Sequence, residues 1–138
     1  MRGYGSGCGW GPGGFSGERV ASAMRALLIP VDGPSAVVGV ADGGGGTRFL
    51  RSLRSLIGAE QVERFRVTDR WEFWVDEDGR AAGKAVNEPA TRVARDFGVP
   101  FSFLGSVVVT GVDDGAEGWI SLAPGQVDAI LRRVAQAP

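Results

Sequence analysis

The apolar residues of this chain come in short runs. The longest unbroken one, ALLI at 26–29, is four residues long and is stopped by Pro30. A helix that crosses a bilayer needs about 20 apolar residues, so no stretch here qualifies and no membrane partner is expected. Glycine, proline and aspartate separate the runs, which predicts short strands and helices joined by tight turns. There is no heptad seam and no internal repeat.

The punctuation changes character at Met24. Residues 1–23 hold eight glycines by Gly17 and no periodic apolar pattern. Glycine loses much backbone entropy on ordering, and this stretch offers little apolar area in return. The expectation is a disordered leader, or an upstream region whose true start is Met24, followed by a single domain over 24–138. The only cysteine, Cys8, lies in the leader, and the chain has no histidine. A single cysteine forms no intrachain disulfide, which fits a cytoplasmic location. With no secretory apolar region at the N-terminus, export is not expected.

Within 24–138, residues 25–31 (RALLIPV) read as a first strand ended by the turn Asp32-Gly33-Pro34. Pro30 lacks a backbone donor, which predicts a sheet edge or a bulge there. Residues 35–40 (SAVVGV) read as an antiparallel second strand. The clearest helix is 47–57, where Phe49, Leu50, Leu53, Leu56 and Ile57 form one apolar stripe between Thr47 as N-cap and Gly58 as stop. Residues 62–68 and 71–76 alternate as strands, with Trp71, Phe73 and Val75 on one face and Glu72, Trp74 and Asp76 on the other. The turn 76–79 leads to a return strand over 80–86. Asn87 caps a helix with Pro89 in its first turn and Ala90, Val93, Ala94 and Phe97 as its stripe. Strands follow at 106–110 and 119–122, and Pro124 opens a last helix. The fold class is α+β: a mostly antiparallel sheet packed with two to three helices, set on one side of it.

Four segments in this order resemble a known family. They are ALLIPVDGP at 26–34, LRSLRSLIGAEQVERF at 50–65, FWVDEDGRAAGKAVNEPAT at 73–91 and LGSVVVTG at 104–111. The chain is similar to an uncharacterised family, a domain of unknown function, common in bacteriophages, plasmids, conjugative elements and bacterial genomes. The resemblance spans roughly residues 25–122. It implies a small intracellular protein often carried on mobile DNA, and it implies no activity and no catalytic residues.

Without histidine or a packed cysteine, the chain lacks the side chains most used for nucleophilic and acid–base chemistry near neutral pH. The net charge of −1 argues against a general nucleic-acid binder. The candidate contacts are few. Arg48, Arg51 and Arg54 follow at three-residue steps on one helix and could hold the phosphates of a nucleotide or nucleic acid bidentately. The glycines 43–46 precede that helix, without the Lys-Ser/Thr of a P-loop. Trp74 is either buried by a helix or dimer partner, or exposed beside Arg64 or Arg66 as a stacking surface. Asp76 and Asp78 read as a hairpin tip and lack the further oxygen donors of a calcium loop. Lys84, the only lysine, stands near Asn87 and Glu88 as a surface pair with a cap, or as a buried catalytic pair. No cofactor and no metal are expected.

The first expectation is therefore a non-catalytic accessory protein that binds a macromolecular partner, above all a protein, through Arg48, Arg51, Arg54, Trp74 and the 76–79 hairpin. A homo-oligomer fits a small sheet with aromatic residues on both faces. The alternative is a binder of a small phosphorylated ligand, a nucleotide or cyclic nucleotide. A carboxylate- or lysine-dependent enzyme is the third reading.

Overall fold

The computed structural model describes residues 23–41, 46–112 and 119–135. Among the described residues, six strands and three helices follow one another, each helix after a pair of strands in the order of the chain. They are β1 (Ala23–Ile29), β2 (Ala36–Ala41), α1 (Thr47–Ile57), β3 (Val62–Arg66), β4 (Trp71–Asp76), α2 (Glu88–Arg95), β5 (Val107–Val112), β6 (Trp119–Ile120) and α3 (Pro124–Ala135). The leader, but for Ala23, lies outside the described residues, as do 42–45, 113–118 and 136–138.

One antiparallel sheet runs in the order β2-β1-β5-β4-β3. The chain makes β5 last of these and inserts it at the centre, where all six of its residues are buried. A Val-Val-Val run is suited to that place, because a strand covered on both faces has no polar side to show. Short β6 pairs with the far end of β5. Beside it the chain binds back to the start of β1: the Leu122 N–H donates to the Arg25 carbonyl at 2.9 Å, and the Arg25 N–H to Ser121 Oγ at 2.8 Å.

The sheet divides two cores. On one face Leu27, Ile29, Trp71, Phe73, Val107 and Val109 meet Ala90, Val93 and Ala94 of α2 and Val127 and Ile130 of α3. On the other, Met24, Ala26, Val40, Trp74 and Val108 meet Phe49, Leu53 and Ile57 of α1. The expected placement of helices on one side is thereby corrected. Alternation along β4 carries large apolar groups to both faces, and each face needs a cover.

Four local expectations also change. β1 is an interior strand, and Pro30 falls just past its last pair, Ile29↔Val107, where no ladder bond is lost. Gly46, at φ 94°, precedes α1 as its N-cap with no side-chain bond, so Thr47 is the first helical residue. Residues 80–86 form no return strand. Ala82 N–H bonds back to Asp78, Gly83 to Arg80 and Lys84 to Gly79, winding Arg-Ala-Ala-Gly into successive turns, with Val86 in a lone bridge to Leu104. Residues 80–85 carry none of the β-branched side chains that favour a pleated strand. Phe97 lies beyond the end of α2 and packs edge-on against Trp71, with ring centroids 5.2 Å apart.

Candidate functional site

Helix α1 crosses the sheet with Phe49, Leu53 and Ile57 buried beneath it. Successive residues on an α-helix turn by about 100°. Three-residue steps therefore drift, and Arg54 is rotated by about 120° from Arg48. The structure follows this arithmetic. Arg48 and Arg51 are exposed on the flank of α1 that faces β2, together with Ser52 and Ser55. Arg54 is half-buried on the other flank, its Nε enclosed and unbonded. The three arginines do not make one cradle; two of them do.

Between that flank and β2 runs an open groove of about 460 Å³. Arg48, Arg51, Ser52, Ser55 and Leu56 form one wall, and Gly39 and Ala41 of β2 the other. Ser52 fixes the spacing of the walls, its Oγ accepting from the Ala41 N–H at 3.1 Å. Neither Arg48 nor Arg51 has an ion-pair partner among the described residues. Of the glycine loop 43–46 only Gly46 belongs to those residues.

The other expected contacts lie elsewhere. Trp74 is 4% exposed, so the reading of an exposed stacking surface is corrected. Its Nε1 donates to Thr110 Oγ1 at 2.9 Å, its ring meets Phe49 edge-on at 5.1 Å, and the Arg64 guanidinium lies 5.8 Å from it. Strand β4 faces a helix on each side, which leaves its Trp74 no solvent to point at. Asn87 is fully buried and internal to the fold. Its Oδ1 caps α2 by accepting from the Ala90 N–H, and its Nδ2 donates to the Ile29 and Gly105 carbonyls at 2.8 and 2.9 Å. Lys84 pairs with Asp76, Nζ to Oδ2 at 2.6 Å, rather than with its sequence neighbour Glu88. It also donates to the Gly58 carbonyl at the end of α1. Asp76 in turn accepts from the Asp78 N–H, as in an Asx turn. The hydrogen bond from Lys84, with that from Asp78 and the lysine's charge, holds the Asp76 carboxyl below its usual range against the opposing effect of burial. Asp76, Asp78, Lys84 and Asn87 thus brace one end of the sheet and stand apart from the groove lining.

One ionisable residue escaped sequence reasoning. Glu72 is 1% exposed beneath the α1 face of the sheet, and its Oε1 has no hydrogen-bond partner. Arg64 Nε stands 3.6 Å from it. Burial raises its pKa, and the charges of Arg64 and Arg66 offset part of that rise. The signal was present: Glu72 alternates in phase with Trp74, so whatever covers one covers the other. Among the described residues no group of three His, Cys, Asp or Glu could hold a metal ion, and no helix is long and apolar enough to cross a membrane.

Fold and site together define a small α+β domain, one antiparallel sheet between helices, with a basic groove at its β2 edge. The chain belongs to the family described as a domain of unknown function (DUF3846), which matches residues 24–135. Comparison with curated proteins and with solved structures returns no match.

Proposed function

We propose that the protein is a non-catalytic accessory protein of the phage or mobile-element kind, acting in the cytoplasm by binding a macromolecular partner in the α1–β2 groove. The observation that carries this reading is the pair Arg48 and Arg51, exposed and without an ion partner among the described residues on one wall of an open groove. Sites for small ligands are usually concave enough to bury most of the ligand. A shallow trough walled by a helix flank and a strand edge suits an extended surface instead. A small phosphorylated ligand remains the competing reading, because the same guanidiniums suit phosphate.

The test is a photo-reactive side chain in place of Ser55, on the groove wall, in the full chain in its native host. The expected result is a covalent adduct with one defined protein that disappears in the double variant Arg48→Glu/Arg51→Glu. A thermal shift produced by a nucleotide and abolished by Arg51→Ala, without any protein adduct, would overturn the reading.

A further inference from the structure

We propose that the occupant of the groove is an extended acidic segment of another protein, which adds to β2 as an outer strand and sets its carboxylates on Arg48 and Arg51. The inference rests on the groove being a macromolecular contact, and it specifies the chemistry of that contact.

The first support is the contrast between the two edges of the sheet. Exposed edges offer unpaired N–H and C=O groups, and proteins commonly blunt them with charges, prolines or bulges. Edge strand β3 follows that rule, with Glu63, Arg64 and Arg66 in its sequence VERFR. Edge strand β2 is AVVGVA, with no charge and no proline. It runs in unbroken register with β1 from Ala23↔Ala41 to Leu28↔Ala36, so no bulge twists it away. Among the described residues its only strand partner is β1, and at its last residue the Ala41 N–H is taken by Ser52 Oγ of α1. Val37, 54% exposed, keeps even its side chain apolar. Such an edge is a template for strand addition.

The second support is spacing and charge. Residues three apart on a helix place their Cβ atoms about 5–6 Å from each other. Alternate residues of a strand lie on one face about 6.6 Å apart. Two carboxylates at alternate positions of an added strand therefore match two guanidiniums at Arg48 and Arg51. Planar guanidinium pairs well with carboxylate, and in a groove partly screened from water the pairing is stronger than at an open surface.

The same charges argue against other occupants. A second copy adding through its own β2 would bring two further guanidiniums into the groove region, and like charges in proximity oppose the pairing. A nucleic-acid strand offers no amides to the edge, and the net charge of −1 disfavours it.

The test uses the full chain labelled with nitrogen-15 and three synthetic ten-residue peptides. One alternates Glu and Thr, one alternates Lys and Thr, and one is the Glu–Thr peptide with alternate amides N-methylated. The expected result is that the Glu–Thr peptide alone shifts the amide signals of Val37, Gly39 and Arg48 and slows exchange of β2 amides. Its affinity falls at least tenfold in Arg48→Gln/Arg51→Gln, measured at a concentration where light scattering shows that variant to be monomeric and with the melting temperature of the parent. Equal binding of the Lys–Thr or N-methylated peptide, or shifts confined to other elements, overturns the proposal. If the Ser55 cross-link still traps a protein while the Glu–Thr peptide leaves β2 unmoved, strand addition is wrong and the groove contact stands. If neither occurs, the groove reading itself is wrong.

Discussion

Glu72 and Asp76 share one face of β4, yet their surroundings push their carboxyls in opposite directions. Burial raises Glu72 above 4.5, so the folded chain binds that proton more tightly than the unfolded chain does. Its effect on stability is most favourable below 4.5 and declines as pH climbs from there through the raised native value. Asp76 is held below 3.8, chiefly by its hydrogen bond from Lys84. Its contribution is present above 3.8 and is lost as pH falls through the lowered native value. Glu72→Gln should therefore flatten the decline on the alkaline side. Urea midpoints of variant and parent should be close near pH 4 and separate in the variant's favour by pH 7. A midpoint that drops in the variant at pH 7 would show that Arg64 and Arg66 outweigh burial. Asn87 gives a second prediction. Asn87→Asp keeps the cap acceptor for Ala90 but loses both donated bonds, leaving the buried Ile29 and Gly105 carbonyls short. The expected cost near pH 7 by denaturant unfolding is about 3 kcal/mol or more, because a carboxylate is then buried against two carbonyls, and Asn87→Ala, which loses the cap but buries no charge, should cost less.

Elements are tied to one another by contacts that sequence neighbours do not announce. Lys84 joins the turn region after β4 to the end of α1, through Asp76 and the Gly58 carbonyl. Its stem also fills the space where a Cβ on Gly105 would sit, 2.8 Å from Lys84 Cδ, and Gly105 itself has φ 80°. Lys84→Met should cost about 2 kcal/mol, because it strands a mostly buried carboxylate. Adding Asp76→Asn should recover part of that loss, and a double-mutant cycle that shows no coupling would remove the tie from the account. The legible parts of the fold were those governed by local period and capping. The Phe49, Leu53, Ile57 stripe, the Asn87 cap and the two-faced alternation of β4 all stand as the residues predicted. What was illegible depends on pairing at long range. No local signal says that β5 enters between β1 and β4, that α1 covers a face of its own, or that Lys84 prefers Asp76 to Glu88. The arginine stripe was half legible. Its spacing gave the exposed pair, but the drift of a helix at three-residue steps carries Arg54 to the opposite flank, and the groove exists only once β2 lies alongside.

Across the whole molecule the two sheet edges differ in kind. β3 carries its own charges, whereas β2 is uncharged and the exposed cations on the groove wall beside it, Arg48 and Arg51, are borrowed from α1. Strand edges pair with whatever edge is offered, so an uncharged edge left bare should pair with itself. Repulsion between the arginines of two copies opposes that, at a distance where salt decides its strength: the screening length is about 8 Å at physiological ionic strength and ~3 Å at 1 M. The protein should therefore be monomeric at micromolar concentration in physiological salt, as read by light scattering on a sizing column. Arg48→Ala/Arg51→Ala should shift it toward a dimer as concentration rises, and ~1 M salt should shift the parent the same way. Placing a charge on the edge itself, Val37→Lys in the double variant, should restore the monomer, because a lysine on an edge strand opposes the addition of another edge. A double variant that stays monomeric through millimolar concentration would mean that these guanidiniums do not guard the edge, and their exposure would then be explained by a partner alone. Dimerisation of the parent at low salt would mean the reverse, that β2 meets its own copy in spite of them.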